Sequence, residues 1–269
     1  MKKIWIYIFL IVGGLIFAYP FLWMISASFK PEMEISRVGL WSSNYTMDSY
    51  KAVVQKIPIW RALFNSLFVS SCVTISVIFF GSIVGYALSR LRFFGRDFIL
   101  GVILFTMVIP FQITLIPMYI LMVKFGWVDS YAALIVPGMI SSFGILLFRQ
   151  FFLDIPQDLI DAARIDGCND LMILFRIFWP LSRPVIITVG ILSFMGSWND
   201  VLWPLIVIRA RELMTMPQMV TLFAVGGQAE AQLGAELAAA TLLAIPIILV
   251  YAFFQRYFIE SMATTGLKN

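Results

Sequence analysis

The charged residues divide this chain into long silent stretches. No Asp, Glu, Lys or Arg occurs over 4–29, 62–89, 98–123, 130–148 or 237–255, and a sixth stretch, 184–208, is interrupted once, by Asp200. A helix that crosses a bilayer needs roughly 20 mostly apolar residues, so each stretch can cross once and none can cross twice. Hydrocarbon offers no partner to a backbone N–H or C=O, which leaves helices or a closed barrel. Strand-like alternation is not evident. The expectation is therefore an all-α, polytopic membrane protein with six transmembrane helices. They are placed at about 4–28, 62–89, 98–122, 131–149, 184–207 and 237–255, in a single transmembrane domain over 1–269. Gly13, Gly14, Pro20, Pro110, Pro117 and Gly190 fall inside these spans. They do not argue against helix, because neighbouring groups in a membrane bundle satisfy a freed backbone.

Composition narrows the function. Charged residues make up 13% of the chain, about half the share in a soluble domain, which sets aside a soluble enzyme or a nucleic-acid module. The sequence contains no His, the commonest metal ligand and proton shuttle. Cys72 and Cys168 are its two cysteines, too few for a disulfide framework or a thiolate metal site. No Gly-x-x-x-x-Gly-Lys-Ser/Thr loop is present, so no ATPase activity is expected of the chain alone. No cofactor or metal is expected on it.

Orientation follows from Lys and Arg beside the spans. Lys2, Lys3, Arg90, Arg92, Arg96, Arg149, Arg164, Arg176, Arg183, Arg256 and Lys268 fall on one side, 11 of the 19 basic residues. Both termini are thus expected in the cytoplasm. The first apolar run exceeds the usual core of a cleaved signal peptide and is read as an uncleaved helix. On the other side, the loop at about 30–60 is expected to be partly ordered. The segment at about 209–236, with Arg211, Glu212, Pro217, Gly226 and Gly227, is expected to hold a short helix near Met219 to Val225. Gly81 and Gly85 form a Gly-x-x-x-Gly pair for close packing, within the chain or between subunits.

The loop at about 150–183 carries the most information. Pro156 suits a first helical turn, and Asp158 and Asp161 complement the positive helix end. Gly167 can end that helix in the left-handed conformation, and Asn169 can cap the next. Pro180 and Pro184 punctuate the way into the fifth span. This predicts two helices joined at an elbow on the cytoplasmic face. Ala162 and Ala163 expose little bulk, and Leu159, Ile160 and Ile165 offer an apolar anchor for a groove on a soluble partner. A hairpin packed on its own membrane helices is the equally weighted alternative.

The spacing of Asp161-Ala162-Ala163, then Gly167, then Ile177-Phe178-Trp179-Pro180 resembles the Glu-Ala-Ala signature of ABC importer permeases, with Asp161 for Glu and Trp179 for Leu. The segment Ser197 to Leu205 and the tail from Gln255 to Ile259 resemble the carbohydrate-uptake branch, in particular the second permease of maltose-type transporters. Ser261 stands near a position where that branch has Gly, and Thr265 to Lys268 match more loosely. The resemblance implies a permease subunit of the prokaryotic inner membrane that moves a sugar or oligosaccharide inward. Its implied partners are a second permease, two cytoplasmic ATPase subunits that carry ATP and Mg, and an extracytoplasmic solute-binding protein. Asp161, Ala162, Ala163, Arg164, Asp166 and Gly167 would couple the chain to the ATPases. Trp198, Asn199 and Asp200 are candidates for the substrate path. Asp200, the one acid inside a span, could otherwise be a helix-end residue. The competing readings are an ABC permease for a non-sugar solute and an ATP-independent secondary transporter.

Overall fold

The computed structural model describes residues 2–36, 39–225 and 232–266, with side chains for all of these except 2, 3, 254 and 256–266. The regular elements among them are all helical. Helix α1 (Lys2–Ser28) is followed by α2 (Glu32–Ile35), α3 (Asp48–Lys56) and the long α4 (Ile59–Arg90). Next come α5 (Arg96–Val108), α6 (Phe111–Phe125), α7 (Tyr131–Ile135), a 3-10 turn at Val136–Gly138, and α8 (Ser142–Leu153). The elbow loop holds α9 (Gln157–Ile165), α10 (Asp170–Ile173), a π-helical turn at Leu174–Phe178, and α11 (Trp179–Leu181). The chain continues through α12 (Arg183–Trp198), α13 (Leu202–Val207), α14 (Met216–Val225) and α15 (Leu233–Gly266). The positions named above at Gly226, Gly227 and Lys268 lie outside the described residues, as do the side chains of Lys2, Lys3, Arg256 and Tyr257 to Ile259.

Ile4–Ser28, Ile59–Arg90, Tyr131–Leu153 and Leu233–Phe253 are each long and apolar enough to cross a membrane. Two bent pairs raise the count to as many as six: Arg96–Val108 with Phe111–Phe125, at 105°, and Asp170–Leu181 with Arg183–Trp198, at 84°. The segment expected as one span at 98–122 is thus two helices. Ile109 is extended and Pro110 follows it. Proline's ring disfavours helical geometry in the residue before it, and proline itself brings no N–H. Pro20, Pro117 and Pro246 stay within their helices. The segment expected at 184–207 also breaks: α12 ends at Trp198 and α13 starts at Leu202.

The chain divides into two compact units, Met1–Leu63 with Thr215–Ile248, and Phe64–Met214 with Leu249–Asn269. In the first, the segment between α1 and α4 is ordered by side chains. The Glu32 carboxylate accepts from the backbone N–H of Leu233 (2.6 Å) and Gly234 (3.1 Å), capping α15. Ser42 Oγ donates to Glu34 at 2.6 Å, Ser28 Oγ and Tyr50 Oη meet at 2.8 Å, and buried Lys30 donates to the Gly39 carbonyl. Helix α14 covers the stretch expected to be helical and buries Met216, Met219 and Phe223.

The second unit holds the larger core. Tyr86, Phe148, Phe152 and Phe178 form its aromatic centre, with Phe178 5.1 Å from both Tyr86 and Phe152. Gly81 and Gly85 pack against α8 within the chain. A Cβ on Gly85 would stand 2.8 Å from Phe148 Cβ and 3.0 Å from the Arg149 backbone nitrogen. Such contact needs a backbone shift, so Gly85→Ala should cost about 1–3 kcal/mol. The check is a lowered thermal-unfolding midpoint of the purified protein, and an unchanged midpoint would refute the tight approach.

The turn between α6 and α7 is fastened by Asp129, whose φ is 55°. Its carboxylate accepts from the backbone N–H of Arg209 and of Ala210 (2.8 Å), and its own N–H donates to the Val207 carbonyl at 3.0 Å. The Ala210 and Arg209 N–H groups hold the Asp129 carboxyl below its usual pKa. The stabilisation is therefore full above the ordinary carboxylate value of about 4 and is lost as pH falls through the lower folded one. Asp129→Asn should flatten this part of the acid slope of the unfolding midpoint. A variant slope equal to wild type would exclude the turn as its source.

Candidate functional site

The elbow is built by local rules. Helix α9 closes with the Gly167 N–H donating to the Arg164 carbonyl (3.0 Å) and the Cys168 N–H to the Ala163 carbonyl (2.9 Å), the paired bonds of a Schellman cap. Gly167 sits at φ +83°, with open space where a Cβ would be. The left-handed backbone, and not crowding, is what calls for glycine there. The Asn169 side chain then accepts from the Met172 N–H at 2.9 Å and starts α10.

One face of α4 holds this elbow at three heights. Ser82 Oγ accepts from Trp179 Nε1 at 3.1 Å, and Tyr86 Oη donates to Asp170 Oδ1 at 3.2 Å. Arg90 donates to the carbonyls of Phe152 and Ile155, its Nη1 reaches Gln157 Oε1 at 3.2 Å, and its guanidinium lies 5.7 Å from the Phe178 ring centre. Spacings of i, i+4 and i+8 place the three on one helical stripe. Arg164 Nη2 also meets Asp170 Oδ1 at 3.2 Å, so Asp170 ties α4, α9 and α10 together. In the sequence Arg90 belongs to a basic turn, and nothing sets Asp170 apart, while Ser82 and Tyr86 show only as polar positions spaced toward Arg90 along a span.

The elbow residues named from sequence separate into two faces. Ala163 is 5% exposed and Ile160 1%, both packed into the chain's own core. Ala163 therefore does not offer the open surface expected of it, and Ile160 is no external anchor. Asp161, Ala162, Arg164, Asp166 and Gly167 are exposed, as are Leu159 and Ile165 (87%). Asp161 accepts from Gln157 Nε2 at 3.0 Å, one helical turn away.

A cavity of about 530 Å³ opens elsewhere in the same unit, with Phe111, Thr114, Gly138, Ser197, Asp200 and Trp203 in its wall. Asp200 Oδ1 accepts from the Trp203 N–H at 3.3 Å, capping α13 in the manner of a helix-end residue. Trp203 is buried, with Nε1 donating to the Ala133 carbonyl at 2.8 Å. Of the three path candidates, only Asp200 reaches the cavity. Trp198 is completely buried and lies 5.8 Å from Phe194, ring centre to ring centre. Asn199 is exposed and donates to the Met195 carbonyl at 2.9 Å.

Residues 77–264 match the family described as "Binding-protein-dependent transport system inner membrane component". The chain belongs to this family. It is therefore an inner-membrane permease of a binding-protein-dependent ABC importer. It is 36% identical over 257 residues to the arabinooligosaccharides transport system permease protein AraQ of Halalkalibacterium halodurans, covering 93% of this chain and 91% of that one. It is 29% identical to the sn-glycerol-3-phosphate transport system permease protein UgpE of Brucella abortus, covering 96% and 95%. A crystal structure of a bacterial ABC transporter involved in the import of the acidic polysaccharide alginate contains a similar chain, with TM-score 0.80, 26% identity and 96% of both chains covered.

The forked guanidinium of Arg90 serves two helix-end carbonyls and an amide at once, which a lysine ammonium does not match. Arg90→Lys should cost about 1–3 kcal/mol by leaving a carbonyl without its donor. Amide hydrogen exchange over residues 152–170 should speed up while exchange in α12 stays as in wild type. Unchanged protection of 152–170 would mean that the clamp is dispensable.

Proposed function

We propose that this permease carries a saccharide from an extracytoplasmic binding protein into the cytoplasm, as one of two permease subunits driven by two cytoplasmic ATPase subunits. In this reading the 150–183 loop and both termini face the cytoplasm, and the exposed face of α9 seats in the ATPase. One observation carries the docking part. Ile165 projects as an almost fully exposed apolar side chain beside Ala162 and Asp161, on an elbow held from behind by Ser82, Tyr86 and Arg90. An apolar anchor on a held helix fits a groove-docking contact, and the hold from behind lets a push on α9 reach α4. A ligand moves a two-state protein only by binding its states differently, so ATP would act through the ATPase pair that grips the elbows. The saccharide part rests on the relatives named for arabino-oligosaccharides and on the likeness to an alginate importer chain. The wall around Asp200 would then line the solute path, with Thr114 and Ser197 as further polar groups.

The test uses Ile165→Arg, which changes the outward face and leaves the core residues Ile160 and Ala163 in place. The ATPase subunit should co-purify with the wild-type permease and be lost from the variant, and uptake should fall by at least about tenfold, since removing a buried anchor from an interface costs about 2 kcal/mol or more. Undiminished co-purification would place the docking surface elsewhere. An uptake panel of arabino-oligosaccharides, alginate oligosaccharides and sn-glycerol 3-phosphate, run with the matching binding protein, tests the substrate class, and uptake of the phosphate ester alone would overturn the saccharide reading.

A further inference from the structure

A second concavity, about 1020 Å³, lies between the end of α4 and the elbow. Its wall contains Arg90, Arg92, Arg96 and Arg164, with Asp170 as the one acid among its residues. The charges are unequally engaged. Arg90 is committed to carbonyls, and Arg164 shares Asp170 with Tyr86. Arg96 meets its neighbour Asp97 at 3.1 Å, and Asp97 is largely exposed. Arg92 makes no ion pair or hydrogen bond among the described residues and is exposed. The cavity therefore presents an unbalanced positive wall with one uncommitted guanidinium.

The apolar surroundings point to what enters it. Arg92 and Arg96 flank Phe93, Phe94 and Gly95 in the turn between two membrane-spanning segments, and the Phe94 side chain is fully exposed. Below the turn, Phe98, Val102 and Phe105 recur at i, i+4 and i+7 on α5, and all three are exposed. No residue of α5 is buried in the chain. A free anion or an acidic peptide would engage the arginines but not the apolar stripe beside them. A lipid uses both, with its phosphate among the guanidinium groups and its acyl chains along the stripe. Basic pockets at the ends of membrane helices bind anionic headgroups in this way.

We propose that the cavity bounded by Arg92, Arg96 and Arg164 holds the phosphate of an anionic phospholipid. The bound headgroup bridges the 91–96 turn and the elbow, which makes the elbow's position sensitive to the lipid around it. The proposal depends on the chain's residence in a membrane and not on which side the elbow faces.

The experiment uses the delipidated importer complex, offered mixed micelles of phosphatidylglycerol and phosphatidylcholine, with retained lipid counted by native mass spectrometry. The wild type should prefer phosphatidylglycerol, and Arg92→Gln with Arg96→Gln should lower that preference by about tenfold at unchanged subunit composition. Phe94→Ser with Phe98→Ser should also reduce retention, although it removes no charge. The same preference in the double arginine variant would overturn the proposal. So would full displacement of the lipid by inorganic phosphate together with unaltered retention in the phenylalanine variant, which would assign the site to a free anion.

Discussion

The close approach of α8 to α4 is the contact on which the elbow depends. In a membrane, helix association gains little from the hydrophobic effect and relies on packing and hydrogen bonds. Gly81 and Gly85 remove the side chains that would hold α8 away, and Phe148 and Arg149 occupy that space. At this separation Arg90, one turn beyond Gly85, reaches the Phe152 and Ile155 carbonyls at the end of α8. Phe152 lies in the last turn of α8, where carbonyls lack the full intrahelical ladder, and Ile155 lies just beyond that helix. The glycine pair thus sets the distance and the arginine uses it. Packing in the bundle is converted into a fixed launching point for α9.

The same economy explains the π-helical turn at Leu174–Phe178. Pro180 has no N–H to give the carbonyl four residues earlier, that of Arg176, and a π turn is one way a helix absorbs such a defect. Two consecutive residues at its end work against α4. Phe178 enters the aromatic centre beside Tyr86, while Trp179 donates to Ser82. The elbow is therefore attached at both ends, through Arg90 before α9 and through Ser82 after α10.

The parts of this site governed by short-range rules could be read in the sequence. Gly167 in the left-handed region and Asn169 as a cap act within a few residues, and the structure uses both in that role, while Pro156 stands one position before the first turn expected of it, as the residue preceding α9. What could not be read depends on distant partners. Ser82 and Trp179 are 97 positions apart and Tyr86 and Asp170 are 84 apart. No periodicity pairs them. The two alanines of the elbow show the intermediate case. Ile160 and Ala163, three residues apart, share the inward face, and Ala162 with Ile165 shares the outward one. That split follows from helical spacing once one face is known to be covered, and composition alone treats Ala162 and Ala163 alike. Pro110 was legible as a proline but not as a break, because Pro20, Pro117 and Pro246 sit in continuous helices.

Asp200 shows why an apparent anomaly in a span can be two features at once. A carboxylate at the centre of an intact membrane helix costs about 2.5–3.5 kcal/mol or more. Here the helix is not intact. The chain leaves helical geometry between Trp198 and Leu202, and the Asp200 side chain accepts from the first turn of α13. The break frees backbone groups that hydrocarbon could not satisfy, and non-helical backbone at membrane depth persists only where protein or a wet cavity meets it. Asp200, Ser197 and Thr114 give the neighbouring cavity polar walls. The break gives the acid a helix end to cap, and the polar cavity wall lies beside both.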